Sequence, residues 1–221
     1  GRLTYHGTAT EVRRIEGGPE IVSPTGKAWF GLARPVVEGE EPTPAQRAVG
    51  AADFGNGLAH PVAFGDFNGD QRDDLAVGIP YSRSACGATL CSPGSAMVID
   101  LNADGEVGGY TMALGMTGLP GAQADQDQYG WAVATGDFNG DGYDDLATGI
   151  PHRDGWGAVL VVYGSPFSLL FAEHQFFFQG SFGETAEAGD EFGKTLAAGD
   201  FNNDGYDDLA MGAPGEDGAG P

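Results

Sequence analysis

The chain has 221 residues, 41% of them hydrophobic, and its 32 acidic against 10 basic side chains give a formal net charge of −22. That balance excludes an electrostatic grip on nucleic-acid phosphates or on an anionic lipid surface, and no apolar run approaches the roughly 18 residues of a membrane span. The hydrophobic content excludes a disordered chain, while 39 Gly and 13 Pro without a collagen period mark many short turns, as in an all-β protein.

The amino end, GRLTYHGT, has no secretory leader, so any signal is expected to have been removed or to lie outside this sequence. The first strand-like run is GKAWFGLARPV at 26–36. From residue 58 the chain repeats itself. LAHPVAFGD (58–66), YGWAVATGD (129–137) and FGKTLAAGD (192–200) each lead into a short acidic loop. DDLAVGIP (73–80), DDLATGIP (144–151) and DDLAMGAP (207–214) leave those loops. The first Asp of each loop, at 66, 137 and 200, recurs after 71 and then 63 residues.

Each unit reads as four strands. Small or alternating apolar residues, as in AVATGDF and TLAAGDF, form the first, and DLAVGIP forms a second that Pro stops. The β-branched runs SAMVID (95–100) and AVLVVYG (158–164) suit a buried third strand. GYTMALG (109–115) and QFFFQG (175–180) supply the fourth. Four strands per period of some 65 residues is the pattern of a β-propeller blade. The expected organisation is an amino-terminal segment with a trailing half blade (1–57), whole blades at 58–128 and 129–191, and a leading half blade at 192–221. That is about three blades' worth of a larger ring. Such a ring closes on roughly four to eight blades, so remaining sequence or a second polypeptide is expected to complete it.

The loops carry the chemistry. Each copy holds four Asp, so twelve of the 32 acidic residues sit in three short segments. In DFNGDGYDD the oxygen-bearing side chains fall on positions 1, 3, 5 and 9, namely Asp137, Asn139, Asp141 and Asp145, with the Tyr143 carbonyl at position 7. Hard oxygen donors, several anionic, on a tight loop suit calcium with its 6–8 ligands better than magnesium, which keeps its water. Gly142 at position 6 permits a sharp turn, and Asp144 at position 8 should point away from the ion. The equivalent sets are Asp66, Asn68, Asp70, Arg72 (carbonyl) and Asp74, and Asp200, Asn202, Asp204, Tyr206 (carbonyl) and Asp208. Three ions would bring the formal charge from −22 to −16. Acidic β-turns without metal are the alternative, and three copies in register count against it. An EF-hand needs Glu at position 12 and flanking helices. Here position 12 is Val77, Thr148 or Met211 between Gly-rich strands, so that reading fails.

These residues resemble FG-GAP repeats, the units of the β-propeller in integrin α-subunits. The likeness rests on Phe192-Gly193, the loop from Asp200 and Gly212-Ala213-Pro214, echoed by Tyr129-Gly130 and Gly149-Ile150-Pro151. It covers 58–221 clearly and 26–57 weakly. It implies a seven-bladed propeller with calcium loops on one rim, opposite a ligand-binding face. The first repeat departs from the pattern. Leu58-Ala59 replaces Phe-Gly and Gln71 replaces the position-6 Gly, so its site is expected to be the most strained and the weakest.

Other motifs carry less. Cys86 and Cys91, in ACGATLCS, are read as closing a small disulfide loop worth roughly 2 kcal/mol, against free thiols; two cysteines are too few for structural zinc. DLNADGEV (100–107) begins like a metal loop but lies off the repeat, and Asp104-Gly105 is a hairpin signal. It is read as a turn, with a fourth metal site at Asp100–Gly105 as the alternative. GDEFGKT (189–195) lacks the spacing of a phosphate-binding loop. The four His are scattered, no nucleophile or zinc-protease motif occurs, and FFF (176–178) reads as outer-strand packing. The expected whole is a secreted or cell-surface calcium-binding propeller serving as an adhesion or interaction scaffold for a protein or glycan ligand. The alternatives are a non-catalytic part of a larger secreted hydrolase, or a carbohydrate-binding propeller.

Overall fold

The computed structural model describes residues 61–86, 89–100 and 108–217, together with the backbone of 11–15 and 18–22; at 85, 86, 89 and 90 only the backbone is described. The chain divides into two compact units, Gly1–Ala59 with Asn102–Val107, and His60–Leu101 with Gly108–Pro221. Within the first, β1 (Glu11–Ile15) and β2 (Gly18–Val22) form an antiparallel hairpin. The strand expected at 26–36 lies outside the described residues.

The second unit is built of antiparallel sheets in chain order. β3 (Val62–Gly65), β4 (Asp74–Ile79), β7 (Ser95–Ile99) and β8 (Tyr110–Met112) make one four-stranded sheet. β9 (Val133–Gly136), β10 (Asp145–Ile150), β11 (Ala158–Tyr163) and β12 (Leu170–Phe177) make the next. β13 (Thr195–Gly199) and β14 (Asp208–Gly212) form the leading pair of a third. Each four-stranded sheet is a meander of neighbouring strands, the arrangement of a propeller blade. Among the described residues there is no α-helix, and no helix long and apolar enough to cross a membrane.

Two elements differ from the sequence reading. β12 begins at Leu170, five residues before the expected QFFFQG, and 179–182 form a 3₁₀ turn instead. A register shift between Val162 and Tyr163 lets Tyr163 pair with Leu170, and LFAEHQFF lacks the strict alternation that would announce a strand. In the connection between second and third strands, β5 (Ser84–Cys86) pairs with β6 (Thr89–Cys91), a hairpin too short for periodicity to reveal. Asp100 and Gly108 exchange both backbone hydrogen bonds at 3.1 Å, as a hairpin expected in DLNADGEV would, although 101–107 lie outside the described residues.

The middle blade is buried on both faces, and the period of two in β11 shows how. Ala158, Leu160 and Val162 enter a core with Ala96, Val98 and Met112 of the preceding blade. Val159 and Val161 enter a second core with Phe192 and the third sheet's Leu196 and Leu209. A run of six apolar residues can stay buried only between two neighbours. Each Val or Leu side chain so removed from water contributes about 1.5–3 kcal/mol.

The repeated Gly residues are explained by the seam between blades. Gly130 and Gly193 have φ of +87° and +82°, and their N–H groups donate to the carbonyls of Gly149 and Gly212 at 3.1 and 3.0 Å. Across the seam, a Cβ on Gly78 would stand 1.9 Å from the Gly130 carbonyl oxygen, and one on Gly149 2.0 Å from that of Gly193. The aromatic before each turn fills the core, Tyr129 with no exposure and Phe192 with 5%. Substituting Gly149→Ala is therefore expected to cost about 3 kcal/mol of stability. Gly155→Ala, with open space around its Cβ, is expected to cost about 1 kcal/mol from its positive φ. Urea denaturation of the two variants checks the difference.

Candidate metal centre

The three acidic loops join β3 to β4, β9 to β10 and β13 to β14, so each caps the first hairpin of its sheet. The side chains fold inward on the loop's own backbone. Asp137 accepts hydrogen bonds from the N–H groups of Gly140, Asp141 and Gly142 at 2.7–3.0 Å. Asn139 accepts from Asp141 N–H, and Asp141 from Tyr143 N–H. Asp66 repeats this with the Asp70 and Gln71 amides, and Asp200 with those of Asp204 and Gly205. Asp70 and Asp204 accept from the N–H of Arg72 and Tyr206. Positions 1, 3, 5 and 7 of the first two loops are thereby drawn into one tight turn.

Position 9 is tied in from the following strand. Asp145 accepts from Phe138 N–H and Gly164 N–H, both at 2.9 Å, and Asp208 accepts from Phe201 N–H and Asn202. Asn68 donates to Asp74 at 3.4 Å. Asp74 and Asp145 have no exposed surface. Burial, reinforced by Asp141 and Asp137, pushes the Asp145 carboxyl up to about 7. No basic side chain pairs with Asp137, Asp141 or Asp145 among the described residues. A buried carboxylate facing two more carboxylates needs a proton or a cation. Among the described residues no three acidic, His or Cys side chains form a ready-made cage. The fit to calcium rests instead on the donor chemistry, all oxygen and largely anionic, around a desolvated acid.

The first and third loops differ in backbone strain. Gln71 occupies the position-6 turn at φ +67°, where the other loops have Gly142 at +89° and Gly205 at +91°. Asn203 replaces the position-4 Gly at +63°, a conformation Asn accepts more readily than Gln.

Two residues outside the predicted sets join the loops of successive blades. Asp144 accepts from Asp66 N–H at 2.8 Å and donates its own N–H to the Asp66 carbonyl at 3.0 Å. Asp207 does the same to Asp137, at 3.2 and 3.1 Å. The doubled Asp-Asp at positions 8 and 9 of every copy was the sequence signal for this second role. Tyr143 and Tyr206 also serve beyond their backbone, each ring lying over the position-4 glycine of the preceding loop. A Cβ on Gly69 or Gly140 would strike them at 2.5 and 1.8 Å.

The remaining sequence candidates stay apart from these loops. Lys194 of the GKT segment pairs with Glu191 and lies 5.8 Å over the Trp131 ring. His152 is 3.5 Å from Glu191, and His174 Nδ1 is 3.0 Å from the Phe171 carbonyl. Phe176 and Phe177 pack against the two cores, as outer-strand packing requires, whereas Phe178 is 42% exposed. In the cysteine hairpin Cys86 lies opposite Thr89 and Cys91 opposite Ser84. The Cys86 side chain is outside the described residues.

The FG-GAP repeat family model matches residues 62–89, 129–163 and 192–221, which takes in all three loops and the glycine seams that flank them. The chain carries FG-GAP repeats. Curated proteins similar to it include integrin α chains. Integrin alpha pat-2 of Caenorhabditis briggsae is 37% identical over 90 residues, 41% of this chain and 7% of that protein. Integrin alpha-V of Gallus gallus is 32% identical over 179 residues, 78% of this chain and 16% of that protein. Integrin alpha-IIb of Mus musculus is 34% identical over 165 residues, 72% of this chain and 15% of that protein. The chain thus spans a small fraction of the length of the relatives it matches. Its FG-GAP repeats are β-propeller blades, with Gly130 and Gly193 as the FG glycines and Gly149 and Gly212 those of the GAP segment.

Replacing Gln71 with Gly removes a left-handed backbone strain of about 1 kcal/mol. The Gln71→Gly protein should accordingly melt a few degrees higher than the parent in the presence of a chelator, as scanning calorimetry would detect.

Proposed function

We propose that this chain is part of an extracellular calcium-loaded β-propeller that acts as an adhesion or protein-interaction scaffold. The observation that carries the reading is the repeated loop, with an inward-folded position-1 Asp in all three copies and a fully buried position-9 Asp in the first two. The ligands are Asp66, Asn68, Asp70, Arg72 and Asp74 in the first loop, and Asp137, Asn139, Asp141, Tyr143 and Asp145 in the second. Asp200, Asn202, Asp204, Tyr206 and Asp208 serve in the third, and in each loop the position-7 residue contributes its carbonyl. When bound, calcium supplies positive charge to a hairpin turn crowded with carboxylates. The chain's own part is to orient the oxygens through the amides of positions 5, 6 and 7 and to hold Asp74 and Asp145 away from water.

The blades are 58–128 and 129–191, with a trailing half in 1–57 and a leading half in 192–221. Continuation of the ring is supported by the position-2 Phe. Phe67 is fully buried in a core shared with the following blade and Phe138 packs against the core that the third sheet also covers, yet Phe201 is 63% exposed. A following blade, from remaining sequence or a second polypeptide, would cover it. Secretion or cell-surface display agrees with the integrin relatives and with millimolar extracellular calcium, which fills even modest sites. A Cys86–Cys91 disulfide, proposed for the short hairpin, belongs to the same oxidising setting.

Native mass spectrometry of the purified chain, with and without a chelator, tests the calcium reading. Three bound calcium ions and a lower melting temperature after chelation are expected; a chain that takes up none would sink the reading. Thiol labelling of the unreduced, denatured protein is expected to find no free cysteine, and two reactive thiols would refute the disulfide.

A further inference from the structure

We propose that Asp144 and Asp207 couple successive calcium loops, so that filling one loop raises the affinity of the neighbouring one. This rests on the calcium reading above and goes beyond it by giving the sites a chemical connection. Asp66 is the first ligand of the first loop, and both its backbone N–H and its carbonyl are bonded to Asp144, at 2.8 and 3.0 Å. Asp144 stands between Tyr143 and Asp145, positions 7 and 9 of the second loop. The residue that separates two ligands of one loop is therefore fixed to the first ligand of another. The link recurs with Asp207, between Tyr206 and Asp208, bonded twice to Asp137.

The contact is more than a single hydrogen bond. The Asp144 side chain lies where a Cβ on Gly65 would stand, at 3.0 Å, and Asp207 is placed likewise at Gly136, at 2.6 Å. The Tyr143 and Tyr206 rings cover Gly69 and Gly140. In addition, Ser165 N–H, in the turn between β11 and β12, donates to the Phe67 carbonyl at 3.1 Å, and the neighbouring Gly164 N–H donates to Asp145. A shift of positions 7–9 in one loop must move positions 1–4 of the loop before it. Drawing Tyr143 and Asp145 onto an ion orders Asp144, and Asp144 then holds Asp66 in place for its own ion. Linkage requires the effect to be mutual.

Hydrogen exchange of the full chain during a calcium titration, read at 66–74 and 137–145, tests this. Asp144→Ala is expected to raise the calcium concentration that half-protects 66–74 by roughly tenfold, and Asp207→Ala to do the same at 137–145, with a smaller rise at 66–74 passed on through the intact Asp144 link. Asp144→Asn retains a side-chain oxygen acceptor for the Asp66 amide and should recover most of the loss, which distinguishes positioning from general loosening. If each Ala variant weakens only the loop that contains it, or if Asn is as harmful as Ala, the coupling is overturned while the calcium reading stands. If the unsubstituted chain gains no protection from calcium in any loop, the calcium reading fails and the coupling falls with it.

Discussion

Where one blade meets the next, any side chain at position 149 would stand 2.0 Å from the Gly193 carbonyl, and at position 78 the same distance is 1.9 Å from Gly130. Backbone meets backbone there without an intervening Cβ, and much else in the molecule is arranged around that approach. It brings the sheets close enough for β11 to fill two cores at once, with Leu160 on one side and Val161 on the other. It also obliges the turns before β9 and β13 to pass through a positive φ, at Gly130 and Gly193, which glycine adopts without strain. The aromatic residue ahead of that turn then enters the core of the preceding blade.

A sheet buried on both faces leaves its polar chemistry to its turns. Here the turn between first and second strands carries four carboxylates, and the backbone amides of the same turn satisfy several of their oxygens. That arrangement shapes the loop but does not neutralise it. Asp145 lies wholly out of water, facing Asp141 and Asp137, and its carboxyl is driven up toward neutral pH. Fold and carboxylate chemistry meet at this residue: it opens β10, accepts from the amides of Phe138 and Gly164, and has no basic partner among the described residues. The paired Asp at position 8 turns the other way and fastens one blade to the one before it.

The exposure of equivalent residues records each blade's place in the series. Phe67, with a blade after it, is completely buried, whereas Phe201, at the same loop position in the last described sheet, is 63% exposed. Asp74 and Asp145 are buried, but Asp208 is partly open to solvent. Equivalent residues meet a different environment where a following blade packs beside them.

Much of this was legible in the sequence. The three near-copies DFNGDQRDD, DFNGDGYDD and DFNNDGYDD, with their Gly-Pro punctuation, determined the repeat, the strand before and after each loop, and the oxygen-rich character of the candidate site, because these depend on local spacing and residue type. SAMVI and AVLVVY announced buried third strands, since β-branched runs of that length have few other uses. Tertiary structure alone decided that the outward Asp144 and Asp207 meet Asp66 and Asp137 of the loop before, that Tyr143 covers Gly69, and that Gly149 is required by a carbonyl some 44 positions away. It also decided where β12 begins, because a bulge at Val162 sets that register from the partner strand. Periodicity reports a residue's relation to its own strand; contacts between blades join residues far apart in the chain, and only the packed sheets bring them together.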